Sequence, residues 1–467
     1  MPGATNHQEH RKEMSHRLEN YPFPGAVLDI CRSLGQHGHS CFLVGGCLRD
    51  ILLGEEPGDF DLATDATPAQ VMAQFQKTIP TGVQFGTVTV LMKGVPYEVT
   101  TFRGDGAYHD GRRPEVVSFR KDIRDDLARR DFTFNAMAYD PLEGRLVDEF
   151  GGLEDLQEQR VRSVGLAQDR LLEDGLRIMR AFRFMRFGKL DPELEGAIRK
   201  HKAILKKISK ERVRVELVKL MSYPDPAPIL KAMGEAGLFD IIYRPLGSLQ
   251  SRPELWDPLL AAVSRLGGEK HTVKFASLFA LVGFEKKFLE KGFPNFGKFD
   301  QGILESQLQR SSHQTLDLLK KETYSRKEQE TVAGIIQRLW VPYHHLGEIE
   351  QRPGYMRWAK LQHLDWLEPV FRSALALEEA LGRKEQVAVL RELKEKFDQT
   401  NVEAHLKPVV DGRTIMEELG IRSGRMVGEL KDGLYWLQVA NDITDKSVLL
   451  GFLKRMVKDK NDGETRS

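Results

Sequence analysis

Val44-Gly45-Gly46-Cys47-Leu48-Arg49-Asp50-Ile51-Leu52-Leu53-Gly54, then after four residues Asp59-Phe60-Asp61-Leu62-Ala63-Thr64, is the stretch that decides the fold. It reads as a strand ending in a glycine turn, a helix, and a second strand over Asp59 to Ala63. Successive side chains of a strand alternate, so carboxylates two residues apart share one face of the sheet. Two like charges so placed are unfavourable unless a cation sits between them. Hard oxygen ligands suit Mg2+, usually held by one or two carboxylates together with substrate phosphates. The same arrangement serves a two-metal in-line displacement at phosphorus. Gly45 and Gly46 let the backbone approach a triphosphate closely, and the helix start supplies free N–H groups. Arg49, one turn in, can reach the same phosphates. Taken singly, a Gly-Gly pair is an ordinary tight turn and an Asp-x-Asp a solvated loop. Within one strand–turn–helix–strand unit they point to phosphate chemistry on a metal.

Outward from this unit the chain reads as mixed α/β to about residue 150. Leu28 to Gly38 is amphipathic, Ser40 to Val44 a compact apolar strand, and Pro68 to Phe75 a helix. Thr87 to Met92 and Val95 to Phe102 form a hairpin around Lys93-Gly94. A polar, glycine-rich loop covers Arg103 to Pro114, strand signals return at Glu115 to Phe119, and a helix is expected from Ile123 to Ala138. From Asp169 the pattern is helical, with breaks at Pro224-Asp225-Pro226 and Gly292 to Lys298. Leu406 to Gly412 is extended and Lys458 to Ser467 a frayed tail.

The whole-chain numbers bound these readings. The 467 residues favour about three domains. Apolar residues make up 41% and charged residues 29%, as in a globular protein with substantial cores. The longest apolar stretch, Phe275 to Phe284, is too short to span a bilayer, and the polar start lacks a secretory signal's apolar core. A cytoplasmic location is therefore expected. Cys31, Cys41 and Cys47 match no zinc spacing and read as small buried hydrophobes. Net charge is only +1, from 69 basic and 68 acidic residues, without the basic excess common in RNA-binding proteins. Arginines nevertheless cluster in the first half, where local patches can bind phosphate.

The pattern GG-x-x-RD-x-LLG…D-x-D-x-AT resembles the signature of the class II tRNA nucleotidyltransferases (CCA-adding enzymes) and the bacterial poly(A) polymerases. The resemblance continues through GTVTV, YEVTTFR, DGRRP, ARRDFTFNAMAYDP, FGGLEDL and LLEDGLRIMRAFRF, dense over residues 40 to 190 and faint beyond 230. It implies a polymerase-β-like α/β nucleotidyltransferase head followed by a mainly helical neck, body and tail. The implied division is a polar extension (1–20), a catalytic head (21–150), a neck with the nucleotide-selecting helix (151–225), a body (226–330) and an RNA-binding tail (331–467). By this resemblance Asp59 and Asp61 hold catalytic magnesium, while Gly45, Gly46, Arg49 and Arg130 touch the nucleotide. Glu98 is either a third carboxylate near the metals or a solvated strand-face residue.

Without a template strand the protein must read the incoming base. Asp174 and Arg177, three apart, share one face if residues 171 to 184 form one helix. A carboxylate accepts from an exocyclic amine and a guanidinium donates to ring nitrogen or carbonyl, which suits cytosine and adenine. The competing reading is a Glu173–Arg177 ion pair on a charged helix. The resemblance assigns Asp174 and Arg177 to base reading, with Arg180 and Arg183 as further nucleotide contacts or helix supports. Arg103, Asp105, Asp110, Arg112 and Arg113 lie in a segment that resembles the loop used to switch from adding C to adding A. The expected partners are a tRNA or other RNA 3′ end, ATP and CTP. The rivals are a poly(A) polymerase, a non-catalytic RNA-binding protein on the same fold, and a metal-dependent phosphatase or nuclease. Gly175 falls where bacterial poly(A) polymerases usually carry proline, which favours tRNA.

Overall fold

The apolar runs of the first half close into one sheet. In a computed structural model, which describes residues 13–104, 118–290, 292–343 and 354–464, strands form at Cys41–Val44 (β1), Asp61–Thr64 (β2), Thr78–Gly82 (β3), Thr87–Met92 (β4) and Val95–Thr101 (β5). Short strands follow at Arg103–Gly104 (β6), Ser118–Phe119 (β7), Ala138–Asp140 (β8) and Arg145–Val147 (β9). The sheet order is β3-β4-β5-β2-β1-β8-β9, with β6 and β7 paired separately. Only the β2–β5 contact within the sheet is parallel. The β4–β5 hairpin turns as expected: Lys93 at φ 53° and Gly94 at φ 83° supply the two positive φ angles of a two-residue turn.

Helices accompany this sheet: one over 13–19 (α1), then Gly25–Gln36 (α2), Gly46–Leu53 (α3), Pro68–Gln74 (α4), Ile123–Ala128 (α5) and Gly152–Gln157 (α6). Phe42, Val44, Ala63, Phe102, Ile123 and Leu127 anchor the apolar cluster on the sheet face that also carries the candidate site. Cys31, Cys41 and Cys47 are buried free thiols, as expected. The chain divides into two compact units, one of Met1–Lys219 with Ala232–Ile242, the other of Leu220–Lys231 with Tyr243–Ser467. In the first, Ala167–Glu173 (α7), Leu176–Phe184 (α8), Pro192–His201 (α9) and most of Lys210–Met221 (α10) follow the sheet. In the second, helices such as Pro253–Arg265, Gln301–Lys321 and Leu367–Ala380 dominate. Ser325 opens Arg326–Gln337 with a capping box to Glu328.

Four expectations are corrected. β2 begins at Asp61, so Asp59 lies on the irregular run into the strand and not within it. The helix expected over Ile123 to Ala138 stops at Ala128, and Thr133–Asn135 forms a 3-10 turn before β8. Residues 171 to 184 are not one helix, because Asp174 is extended (φ −146°, ψ 102°) and separates α7 from α8. The last helix, Lys446–Glu464, runs through much of the tail expected to fray.

The FGG stretch buttresses the Thr133–Asn135 turn. Asp148 accepts from the Gly152 and Leu153 amides at 2.7 and 2.9 Å. A Cβ on Gly152 would stand 2.4 Å from the Thr133 carbonyl oxygen, a backbone atom that cannot swing aside. Gly152→Ala should therefore cost about 1–3 kcal/mol, the scale of core overpacking, and lower the thermal midpoint by several degrees. An unchanged midpoint in a differential scanning measurement would refute this close approach.

Candidate functional site

β1 delivers the chain to Gly45, whose φ of 78° and ψ of −132° lie where a side chain is strained. Space is also short, since a Cβ there would meet Arg130 Nη1 at 3.1 Å. Gly46 starts α3, and Arg49 projects from its first turn. The Arg49 guanidinium donates to Asn135 Oδ1 at 2.8 Å and to Asp50 Oδ1 at 2.7 and 2.9 Å. It lies over the Phe187 ring at 4.6 Å and the Phe184 ring at 5.4 Å.

These groups line a cavity of about 590 Å³ together with Asp59, Asp61 and Glu98. Leu62 and Val99 are register partners and both buried, so the preceding residues, Asp61 and Glu98, share the opposite face. Burial pushes the Asp61 carboxyl up to about 6, and the negative charges of Asp59 and Glu98 add to the rise, against a smaller pull from Arg130. Such a cluster of hard oxygen donors, short of positive charge, fits a divalent cation. Among the described residues no three histidine, cysteine or carboxylate side chains are set to hold an ion by themselves. An ion here would complete its shell with phosphate oxygens or water.

The other wall is built from guanidiniums locked to buried carboxylates. Asp126 binds Arg129 Nη2 at 2.6 Å and Arg130 Nη2 at 3.1 Å, and accepts from the Arg103 amide at 3.2 Å. Burial would raise the Asp126 carboxyl, but Arg130 and Arg129 outweigh it and hold it below the usual carboxylate range. Asp131 is treated the same way by Arg180, whose Nε donates at 2.6 Å. Arg183 donates to Glu216 at 2.5 Å and lies 4.1 Å from the Phe184 centroid.

Asp174 and Arg177 both line the cavity, although not as neighbours on one helix. Asp174 accepts from the Leu176 amide at 3.0 Å and from Arg212 Nη2 at 2.7 Å. Arg177 is buried and pairs with Glu173 at 2.7 Å, donating as well to the Arg170 and Arg129 carbonyls. The ion pair and the cavity position, set against each other as rival readings of the sequence, coexist. Gly175 has an ordinary helical φ of −60°; its constraint is space, for a Cβ would meet Ile204 Cγ2 at 2.7 Å.

Of the loop residues, Arg103 reaches the cavity and donates to the Phe85 carbonyl at 2.7 Å. Asp105, Asp110, Arg112 and Arg113 lie outside the described residues. Sequence reasoning missed Asp126, Asp131, Asn135 and Glu216. The acidic residues beside arginines in DDLARRD carried the available signal for the first two.

The comparisons agree with the fold. Residues 41–162 match the family model of the poly(A) polymerase head domain, and residues 189–248 match one described as a probable RNA and SrmB-binding site of polymerase A. The class is thus that of a nucleotidyltransferase-fold head followed by a mostly helical region, and the resemblance read from the sequence holds. The chain is 48% identical over 219 residues to the CCA-adding enzyme of Geobacillus stearothermophilus, covering 46% of this chain and 54% of that one. It is 44% identical over 215 residues to the CCA-adding enzyme of Lactobacillus johnsonii, with coverage of 46% and 54%. The matched stretch spans about half the length of these curated relatives. Among solved structures, the Bacillus stearothermophilus CCA-adding enzyme in complex with CTP aligns at a TM-score of 0.69 and 29% identity, over 94% of this chain and 98% of that one. The Thermotoga maritima CCA-adding enzyme complexed with tRNA shares the fold at a TM-score of 0.58 and 19% identity, with 95% and 98% covered.

Asp126→Ala should leave Arg129 and Arg130 without their buried counter-charge and destabilise the protein by about 3–5 kcal/mol. Chemical denaturation with Asp126→Asn as the isosteric control tests this. Equal stability of parent and alanine variant would remove Asp126 from the framework.

Proposed function

We propose that the protein adds nucleotides, CCA or its terminal A, to tRNA 3′ ends from CTP and ATP without a template. The observation that carries this reading is a single cavity lined by Asp59, Asp61 and Glu98, the Gly45-Gly46 turn, and the Asp174 and Arg177 side chains. Mg2+ held by Asp59 and Asp61, with Glu98 beside them, would supply the charge neutralisation that phosphoryl transfer requires. Gly45, Gly46, Arg49 and Arg130 bind and orient the triphosphate. Asp174 offers an acceptor and Arg177 donors to the Watson–Crick edge of C or A, with Arg180 and Arg183 holding α8 in place. The neck (151–225), body (226–330) and tail (331–467) carry the folded RNA. A cytoplasmic location fits work on tRNA and nucleoside triphosphates. Gly175, where bacterial poly(A) polymerases usually carry proline, favours tRNA over poly(A) synthesis.

Three tRNA transcripts, ending before CCA, after one C and after CC, test the product when offered single and mixed nucleotides. Completion of all three to CCA is the expected outcome. One A added only to the CC-ended transcript would mark an A-adding specialist. Long A tracts on unrelated RNA would overturn the tRNA assignment, and no incorporation at all would leave a binding protein. Asp59→Ala and Asp61→Ala should each abolish incorporation with the fold intact, because neither opens a core; substantial activity in either would sink the metal assignment. Asp174→Ala and Arg177→Ala should lose discrimination against UTP and GTP by about 1–3 kcal/mol, the worth of a good base contact.

The raised Asp61 carboxyl adds a pH signature. A carboxyl titrating higher in the folded protein than in the unfolded chain stabilises at low pH, and that contribution is lost as pH rises through about 6. Without metal, Asp61→Asn should therefore be more stable than the parent at pH 8 and similar to it at pH 4. Mg2+ or Mn2+ should raise the thermal midpoint of the parent at pH 8, less so at pH 5, and not that of Asp61→Asn. A metal-induced rise independent of pH would contradict this assignment.

A further inference from the structure

Asn135 stands between two charged groups of opposite sign. Its Oδ1 accepts from Arg49 Nη1 at 2.8 Å and its Nδ2 donates to Asp131 Oδ1 at 3.1 Å. Its backbone carbonyl accepts from Arg130 Nη1 at 3.2 Å, so both arginines nearest the glycine turn meet on this one residue. The side chain is only 7% exposed and borders the cavity. The 3-10 turn that ends at Asn135 fixes its backbone, with the Asn135 amide bonded to the Phe132 carbonyl at 3.0 Å.

The chemistry of the two neighbours dictates the residue. A guanidinium only donates and an ionised carboxylate only accepts, so a side chain joining them must accept on one side and donate on the other. At this length a carboxamide does both. Aspartate would face Asp131 with a like charge, and leucine would leave Arg49 and Asp131 each short of a partner. Asn135 makes no bond to Arg177 or Asp174, whose partners are Glu173, Arg212 and main-chain groups.

We propose that Asn135 is a positioning residue for the triphosphate: it fixes the direction of Arg49 and Arg130 over the Gly45-Gly46 turn and takes no part in base choice. This rests on the reading of Arg49 as a phosphate contact. The test uses the full-length protein, with inorganic tripolyphosphate as a base-free competitor of incorporation, and KM and kcat for ATP and UTP. In Asn135→Leu the inhibition constant for tripolyphosphate and the KM for ATP should rise about ten- to a hundredfold, the scale of a misplaced binding group. kcat should fall far less, and the preference for ATP over UTP should be unchanged. Asn135→Asp should show the same split. If Asn135→Leu fails to fold, Asn135→Ser, which keeps a donor and an acceptor on a shorter side chain, is read by the same two constants. Unchanged constants in a folded variant, beside weakened tripolyphosphate inhibition in Arg49→Ala, overturn the role of Asn135 alone. Loss of the ATP preference in step with the rise in KM overturns it too, because the residue would then act through base reading. Undiminished tripolyphosphate inhibition in Arg49→Ala removes the phosphate reading beneath it.

Discussion

A buried charge persists only beside its opposite, and that constraint organises the cavity wall. Asp126 and Asp131 lie almost wholly inside the protein, where an unpaired carboxylate is costly. Each is held ionised by guanidiniums, Asp126 by Arg129 and Arg130 and Asp131 by Arg180. The same pairing that makes the carboxylates tolerable deprives the arginines of rotamer freedom. Long side chains that would lose entropy on meeting a ligand are thus already in place, and a triphosphate would pay less to engage them. The glycine turn follows from the same wall, because Arg130 occupies the space a Cβ of residue 45 would need.

On the opposite wall the constraint is left unmet. Asp59, Asp61 and Glu98 lie together there, and burial first, then the charges of Asp59 and Glu98, raises the Asp61 carboxyl against a smaller pull from Arg130. One wall is self-neutralised and the other carries excess negative charge. A cation bound to phosphate oxygens would satisfy both at once, presenting its positive charge to the carboxylates while the anionic phosphate oxygens face the arginines. The near-zero net charge of the chain hides this division, which exists only on the scale of a few side chains.

Much of this was legible in the sequence, and the failures share a cause. The β4–β5 hairpin was readable because its period of two and its Lys93-Gly94 turn are local signals. The helix expected through Ile123 to Ala138 was not, because side-chain hydrogen bonds compete with the helical ladder there. Asp131 accepts from the Phe132 amide at 2.9 Å, and Phe132 and Phe134 then stack at 5.8 Å as buried residues two apart. Asp174 likewise accepts from the Leu176 amide and breaks the expected continuous helix. Asn135 could not be singled out from sequence, since its two partners, Arg49 and Asp131, come together only once α3 packs near the 3-10 turn.

The break at Asp174 changes what the proposed base-reading pair requires. On an unbroken helix, Asp174 and Arg177 would project from one rigid surface, and their separation would be set by helical geometry alone. Here Asp174 lies just before α8, whose N-cap is Gly175, and is tied to Arg212 of α10, whereas Arg177 sits inside α8 and is tied to Glu173 of α7. Their backbones stay joined by one turn, the Arg177 amide donating to the Asp174 carbonyl at 3.0 Å, while their side chains are held by different helices and Gly175 allows the close approach of Ile204 at the junction. Under the proposed function, a pocket that takes a pyrimidine and then a purine would need some adjustment between acceptor and donors. In the proposed function, side chains held by different helices would supply it without unwinding a helix.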